Sequence, residues 1–235
     1  MMTGSTSDMH QPLKVVASRA ALLLVDLQEE HRRDQRFLAA DYETALGNAR
    51  KLLIAARASR IAIFHARYVR DFEIVPPRPF EIVGPQGEPH FSDPASGLTA
   101  ICPEVAPRTG ETIITKNEAS AFASTGFEAD LRSRNIEWLV IAGAWTEACV
   151  AATVRDATAH GFRVLLVKDA CASGTSHMHQ TAILNLANRL AGGAVADTAK
   201  TAAILSGVEA PVWRLEHLVP FRFDATTVSA LYEAL

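Results

Sequence analysis

The chain has 235 residues, with 23 basic against 26 acidic side chains, 49% hydrophobic and 7% aromatic residues, the profile of a globular protein with a sizeable core. A net charge of −3 without a Lys/Arg stripe argues against a nucleic-acid partner, and the apolar runs fall far short of the roughly 20 residues that span a bilayer. The polar start MMTGSTSDMHQPLK has no signal h-region, and Cys102, Cys149 and Cys171 show no CxxC spacing, so disulfides and structural zinc are not expected and a cytoplasmic location is.

Short apolar runs alternate with helical patterns, which predicts βαβ units and a parallel sheet covered on both faces. The first strand is Ala21–Asp26. A helix over Asp41–Ala58 follows, with Leu46, Ala49, Leu53 and Ala56 on one face and Asp41 as N-cap. Arg60–His65 is the second strand, after which residues 66–111 carry eight of the 11 prolines and little periodicity; loops that long in a compact domain are usually lids or binding loops. A family insertion or an oligomer contact is the plainer alternative. Thr112–Lys116 is the third strand, and Thr125 and Glu128 have capping-box spacing at the next helix start.

Trp138–Ala142 is the fourth strand. Thr146 then reads as the N-cap of a helix carrying Val150 and Val154 and stopping at Gly161, with His160 in its last turn. Arg163–Lys168 is the fifth strand, followed by a helix from about Ser176 to Leu190 that ends at Gly192-Gly193. Ala194–Asp197 is the sixth. Val228, Leu231, Tyr232 and Leu235 form a last amphipathic set that would dock on the body or on another subunit. The expected organisation is one domain over residues 1–235, with a flexible N-terminal segment 1–18 and a tail 209–235.

Ligands of open parallel sheets bind outside the carboxyl ends of the strands. Asp26 and Lys116 close strands there, and Cys149 lies just past a third in GAWTEACV. With Thr146 as N-cap, Cys149 falls in the first helical turn, where free N–H groups and the helix dipole favour a thiolate and could hold an oxyanion. Unperturbed Asp (about 3.9) and Cys (about 8.5) leave roughly 6 kcal/mol against proton transfer, so burial is expected to raise Asp26 while Lys116 and the dipole lower Cys149. Each residue also has a plain structural reading: a loop-capping Asp, a solvated Lys head, a small core Cys. Cys102 and Cys171 have no comparable setting and read as structural. No GxSxG, phosphate loop or GxGxxG fingerprint is present, Asp26-Leu27-Gln28 lacks the second acid of a phosphoryl-accepting pair, and His65, His90 and Asp93 form no compact ligand motif.

These residues sit in LLLVDLQ (22–28), CPEVAPRTGETIITKNEASAF (102–122), VIAGAWTEACVAATVRDATAHGF (140–162) and VKDACASGTSHMHQTAI (167–183). Together the segments resemble the isochorismatase-like cysteine hydrolase superfamily, which includes nicotinamidases, N-carbamoylsarcosine amidases and ureidoacrylate hydrolases. The resemblance implies a three-layer, doubly wound, Rossmann-like sheet of about six parallel strands and an Asp26/Lys116/Cys149 triad. It also implies a cis peptide before Trp145, with the N–H groups of Trp145 and Cys149 as oxyanion hole. The zinc-binding Asp-x-His of nicotinamidases has no counterpart after the second strand, so no metal or other cofactor is expected. Isochorismatases proper lack the cysteine, so Cys149 favours cleavage of a C–N bond in a small amide, carbamoyl or ureido compound through a thioester; vinyl ether hydrolysis or a catalytically silent scaffold are the alternatives. For the pocket, Trp145, Phe122 and Phe127 are candidate aromatic walls and His177, His179, Arg67 or Arg70 candidate polar contacts, each with a core, cap or solvated alternative. A homo-oligomer is expected from the same resemblance.

Overall fold

The computed structural model describes residues 9–235. Its centre is a sheet of eight strands in the order β1-β8-β7-β6-β5-β2-β3-β4. The six inner and right-hand strands, β2 (Ala20–Val25), β3 (Ala62–Tyr68), β4 (Thr112–Lys116), β5 (Trp138–Ala144), β6 (Arg163–Ala172) and β7 (Ala194–Ala196), pair in parallel. All residues of β2 and β5 are buried, which is why each reads as an unbroken apolar run.

Two strands were not legible in the sequence. β1 (His10–Leu13) and β8 (Ala210–Trp213) pair antiparallel with each other, and β8 pairs antiparallel with β7. Each is four residues long and contains a proline; β1 is an edge strand, where a proline is tolerated, and β8 meets β7 only at Trp213, with Pro211 opposite Pro12 of β1. The expected flexible segment therefore needs correcting over residues 9–18: Met9, Leu13 and Val15 are buried, and residues 1–8 lie outside the described residues. β3 starts two residues late, because Arg60 takes a left-handed turn (φ 54°), and runs on to Tyr68; β6 runs on to Ala172 instead of ending at Lys168.

Helices cover both faces. α2 (Tyr42–Ala58) and α6 (Thr198–Leu205) lie over one face, where Leu46, Ala49, Leu53 and Ala56 join a core with Leu22, Leu24 and Val140. α3 (Phe127–Ser133), α4 (Ala151–Ala159), α5 (Ser176–Ala187) and α7 (Val228–Glu233) cover the other, around Leu23, Phe64, Ile141 and Leu166. A single-turn helix, α1 (Glu30–Arg33), follows β2.

Three expected caps differ. Asp41 precedes α2 with a left-handed backbone and makes no side-chain cap; its carboxylate accepts from Ser176 Oγ instead. Gly126, at φ 90°, starts α3 in place of a Thr125/Glu128 capping box. Thr146 is inside a five-residue π turn, Thr146–Val150, whose preceding residue is Trp145, and its hydroxyl is committed to the Ala172 carbonyl. The α5 start is as expected in place, with Thr175 Oγ1 accepting from Met178 N.

The C-terminal tail docks on its own chain. Phe221, Val228 and Leu235 join the core, and Lys168 Nζ donates to the Tyr232 and Glu233 carbonyls at the end of α7. The proline-rich loop begins after Tyr68 and is pinned by Arg70, whose guanidinium holds Glu81 through Nε and Nη2 and the Val75 and Pro76 carbonyls. Among the described residues no helix is long and apolar enough to cross a membrane.

Candidate active site

The chain runs from β2 outward through β3 and β4, and from β5 outward through β6 and β7. β2 and β5 are neighbours, so the strand order reverses between them, and their carboxyl ends open a crevice of the kind that binds ligands in such sheets. Gly143 makes the close approach possible: it pairs with Val25, adopts φ 144°, and a Cβ there would stand 2.0 Å from the Val25 carbonyl oxygen.

Asp26 leaves β2 with a left-handed backbone (φ 49°), its N–H still donating to the Ala66 carbonyl. This turn lays the carboxylate over the sheet edge, 2% exposed. Lys116, at the end of β4, passes over the Tyr68 ring (Nζ 4.8 Å from its centre) and donates to Asp26 Oδ2 at 2.7 Å. Taking both charges from water costs several kcal/mol per ion unless they meet each other. Asp26 Oδ1, equally buried, has no hydrogen-bond partner.

The peptide between Ala144 and Trp145 is cis, and the π turn that follows carries Cys149 at the edge of the same cavity as Asp26. Burial pushes the Cys149 thiol well above its usual range; the Asp26 charge acts in the same direction and Lys116 opposes it. Desolvation and the Asp26 charge thus work against the expected thiolate and favour the neutral thiol. The expectation weighed the helix start and the lysine, and the structure weighs desolvation more heavily.

Asp26, His31, Phe37, Tyr68, Phe91, Ala144, Trp145, Ala148 and Cys149 line a cavity of about 200 Å³. Phe91 stands at the centre of its aromatic wall, 4.7 Å from the Phe37 ring centre, 5.7 Å from Tyr68 and 6.1 Å, stacked, from His31. Trp145 Nε1 donates to His31 Nδ1 at 3.1 Å, and burial holds His31 down to about 4, so this ring is neutral at physiological pH. Gly174 leaves room for the indole: a Cβ there would meet Trp145 Cζ3 at 2.6 Å. Gln28 fixes Tyr68 by continuing the ladder with its side-chain amide, donating to Tyr68 O and accepting from Tyr68 N. Behind the cavity, buried Glu30 accepts from Ser92 Oγ at 2.7 Å and Gln28 Nε2 at 3.2 Å.

Sequence reasoning missed His31, Phe37, Tyr68 and Phe91. Tyr68 could have been found from the true end of β3; Phe91 lies in the proline-rich loop, where no periodicity marks it. Conversely, six pocket candidates are elsewhere. Phe122 packs on Phe127 (4.9 Å) and His160 (5.1 Å), and Phe127 on Phe64 (5.4 Å), so both rings serve the core. His177 is exposed on α5. His179 pairs through Nδ1 with Thr146 Oγ1 (2.8 Å) and through Nε2 with the Tyr232 hydroxyl (3.1 Å), tying α7 to the π turn. Arg67 donates to Thr115 Oγ1 and Arg70 anchors the loop, both away from the cavity lining.

Among the described residues one cluster, Glu29, Cys102 and Glu104, could offer a metal three donor atoms. The Arg32 guanidinium already binds both carboxylates there, and the burial-raised thiol of Cys102, up to about 12, resists deprotonation. His65 is bonded to Glu111 at 2.8 Å.

A family model described as the Isochorismatase domain matches residues 20–200. An uncharacterised isochorismatase-family protein of Bacillus subtilis (strain 168) is 30% identical over 66% of this chain and 78% of its own. An N-carbamoylsarcosine amidase of an Arthrobacter species is 31% identical over 65% of this chain and 59% of its own length, less than two thirds of that enzyme. A solved hydrolase structure of the isochorismatase family from Chromobacterium violaceum superposes with a TM-score of 0.69 at 30% identity, covering 84% of this chain and 99% of that one.

Proposed function

The chain belongs to the isochorismatase family of hydrolases, and we propose that it cleaves a C–N bond in a small amide, carbamoyl or ureido compound with Cys149 as nucleophile. The observation that carries this reading is the carboxylate of Asp26: one oxygen is held by Lys116 and the other is buried without a partner, beside a thiol on the same cavity. An unpartnered buried acceptor next to a neutral S–H is arranged to receive that proton.

In the proposed cycle the S–C bond forms as the Sγ proton passes to Asp26 Oδ1, because a free thiolate is disfavoured in this desolvated setting. The carbonyl becomes an oxyanion, taken up by the N–H groups of Trp145 and Cys149 on the turn after the cis peptide. Asp26 returns the proton to the nitrogen, the C–N bond breaks, and ammonia or an amine leaves a thioester. Water, losing a proton to Asp26, then releases the acid and restores the thiol. Lys116 keeps Asp26 oriented and offsets its charge throughout; no cofactor is invoked.

The named relative that is an amidase supports C–N chemistry. Cytoplasmic location and assembly into a homo-oligomer belong to the same reading; exposed Ile74, Phe80 and Ile82 on the proline-rich loop offer apolar surface for assembly. Ammonia release from a panel of small amides and ureido compounds, compared between wild type and Cys149→Ala, tests the reading. The expected loss is roughly a thousandfold or more; turnover that survives without the thiol would contradict it and point to thiol-independent chemistry such as vinyl ether hydrolysis.

A further inference from the structure

The cavity over Asp26 and Cys149 is polar only at its floor. Its walls are Phe37, Phe91, Tyr68, the Trp145 indole and the His31 ring. Among the described residues, the cations Lys116, Arg70, Arg78 and Arg36 are already paired inside the chain. Lys116 is bound to Asp26 at 2.7 Å, Arg70 to Glu81, Arg78 to Glu118 and Arg36 to Asp34. His31 accepts the Trp145 N–H and is held uncharged by burial. Arg67, Arg70 and His90 are not among the lining residues.

We propose that the substrate is a neutral amide with a flat, apolar carbon skeleton, and that the site discriminates against amides carrying a carboxylate. This rests on the hydrolase reading above and narrows it. A carboxylate entering the cavity would lose its water and meet aromatic faces, the neutral His31 and the Asp26 charge, with no cation among the described lining residues to replace the lost solvation; burial of an unpaired charge is far costlier than burial of a neutral group. A neutral amide has no such penalty. Its carbonyl and NH2 fall at the polar floor, where Asp26 Oδ1 lacks a partner, and a flat remainder can stack on Phe91 and Trp145, the geometry aromatic faces prefer. The cavity of about 200 Å³ is below the roughly 300–1,000 Å³ of drug-sized sites, which restricts the skeleton to about one small ring or a short unsaturated chain. N-carbamoylsarcosine, for which the Arthrobacter relative is named, bears a carboxylate and falls in the disfavoured class.

The test uses matched pairs that differ in one group: crotonamide against fumaramate, in which a methyl is replaced by a carboxylate, and benzamide against its carboxy-substituted analogue. Ammonia release is measured at pH 7.5 with wild type and Cys149→Ala, and binding by calorimetry with Cys149→Ala. The expected result is a kcat/KM at least tenfold higher for the neutral member of each pair, dependent on the thiol, and calorimetric binding of the neutral members alone. Phe91→Arg, which adds a cation to the wall, is expected to narrow or reverse the preference. Thiol-dependent turnover that favours the carboxylates overturns the substrate class and leaves the hydrolase reading standing. Equal or tighter binding of the carboxylates overturns the substrate class even without turnover. Turnover of neutral amides that persists in Cys149→Ala overturns the nucleophile and keeps the selectivity. Neither binding nor turnover of any neutral member overturns both.

Discussion

Asp26 gives one carboxylate oxygen to Lys116 and keeps the other buried without a partner. Its place at the end of an apolar strand, and those of Lys116 and Cys149 beside other strand ends, follow from the apolar runs LLLV, TIIT and VIAGA. The burial of the thiol does not, because Tyr68, Phe91 and Trp145, which line the same cavity, converge only in three dimensions. With the thiol neutral at rest, iodoacetamide near pH 6.5 is expected to label Cys149 slowly. Asp26→Asn removes the base that takes the Sγ proton as the S–C bond forms, so labelling of Cys149 should slow further, as read by peptide mapping. Lys116→Met leaves the Asp26 carboxylate buried and unpaired, an expected loss of about 3–5 kcal/mol in urea unfolding, and the Asp26→Asn/Lys116→Met pair should recover most of it.

Glu30 gives a second test at this scale. Burial raises its carboxyl from 4.5 to about 7, the Asp26 charge adds to the rise, and the Ser92 hydrogen bond works against it. The folded state therefore holds a proton between about pH 4.5 and 7 that the unfolded chain has released, so stability falls as pH rises through that window, by on the order of 3 kcal/mol. Glu30→Gln keeps acceptors for Ser92 and Gln28 and should flatten the decline, making the variant the more stable protein above pH 7. Urea midpoints at pH 5 and pH 7.5 decide it.

Among elements, the long proline-rich loop and the tail helix have the largest consequences and the weakest sequence signals. The loop supplies Phe91 to the cavity and Ser92 to Glu30, and it is held by Arg70, a residue whose sequence setting suggested only a polar contact. The tail helix reaches the π turn of Cys149 through Tyr232, His179 and Thr146. The apolar spacing of Val228, Leu231, Tyr232 and Leu235 anticipated docking, and His179 was noticed, but nothing in one dimension joins positions 146, 179 and 232. The Thr146 hydroxyl donates to Ala172, so it accepts from His179 Nδ1–H and leaves Nε2 to accept from Tyr232. Tyr232→Phe removes that donor and leaves a buried acceptor unsatisfied, an expected cost of about 1–3 kcal/mol. A melting temperature unchanged within error would show that the chain of bonds carries no weight.

At the scale of the whole molecule, the six parallel strands, of which β2 and β5 are buried on both faces, are the part that sequence patterning carries well. The remaining pair, HQPL and APVW, stays hidden because four residues with a proline give no run and no alternation. Reversal of strand order between β2 and β5 then places Asp26 and Cys149 at one crevice, so topology alone brings together residues 123 positions apart in the sequence. The most direct test of Cys149 as the attacking group is intact-mass spectrometry of protein quenched in acid during turnover of a hydrolysed amide. The predicted result is a mass increase equal to the acyl group less one hydrogen, mapped to Cys149 and absent from Cys149→Ala, which should also be inactive. Undiminished ammonia release by Cys149→Ala, with no adduct on the wild-type thiol, would contradict it.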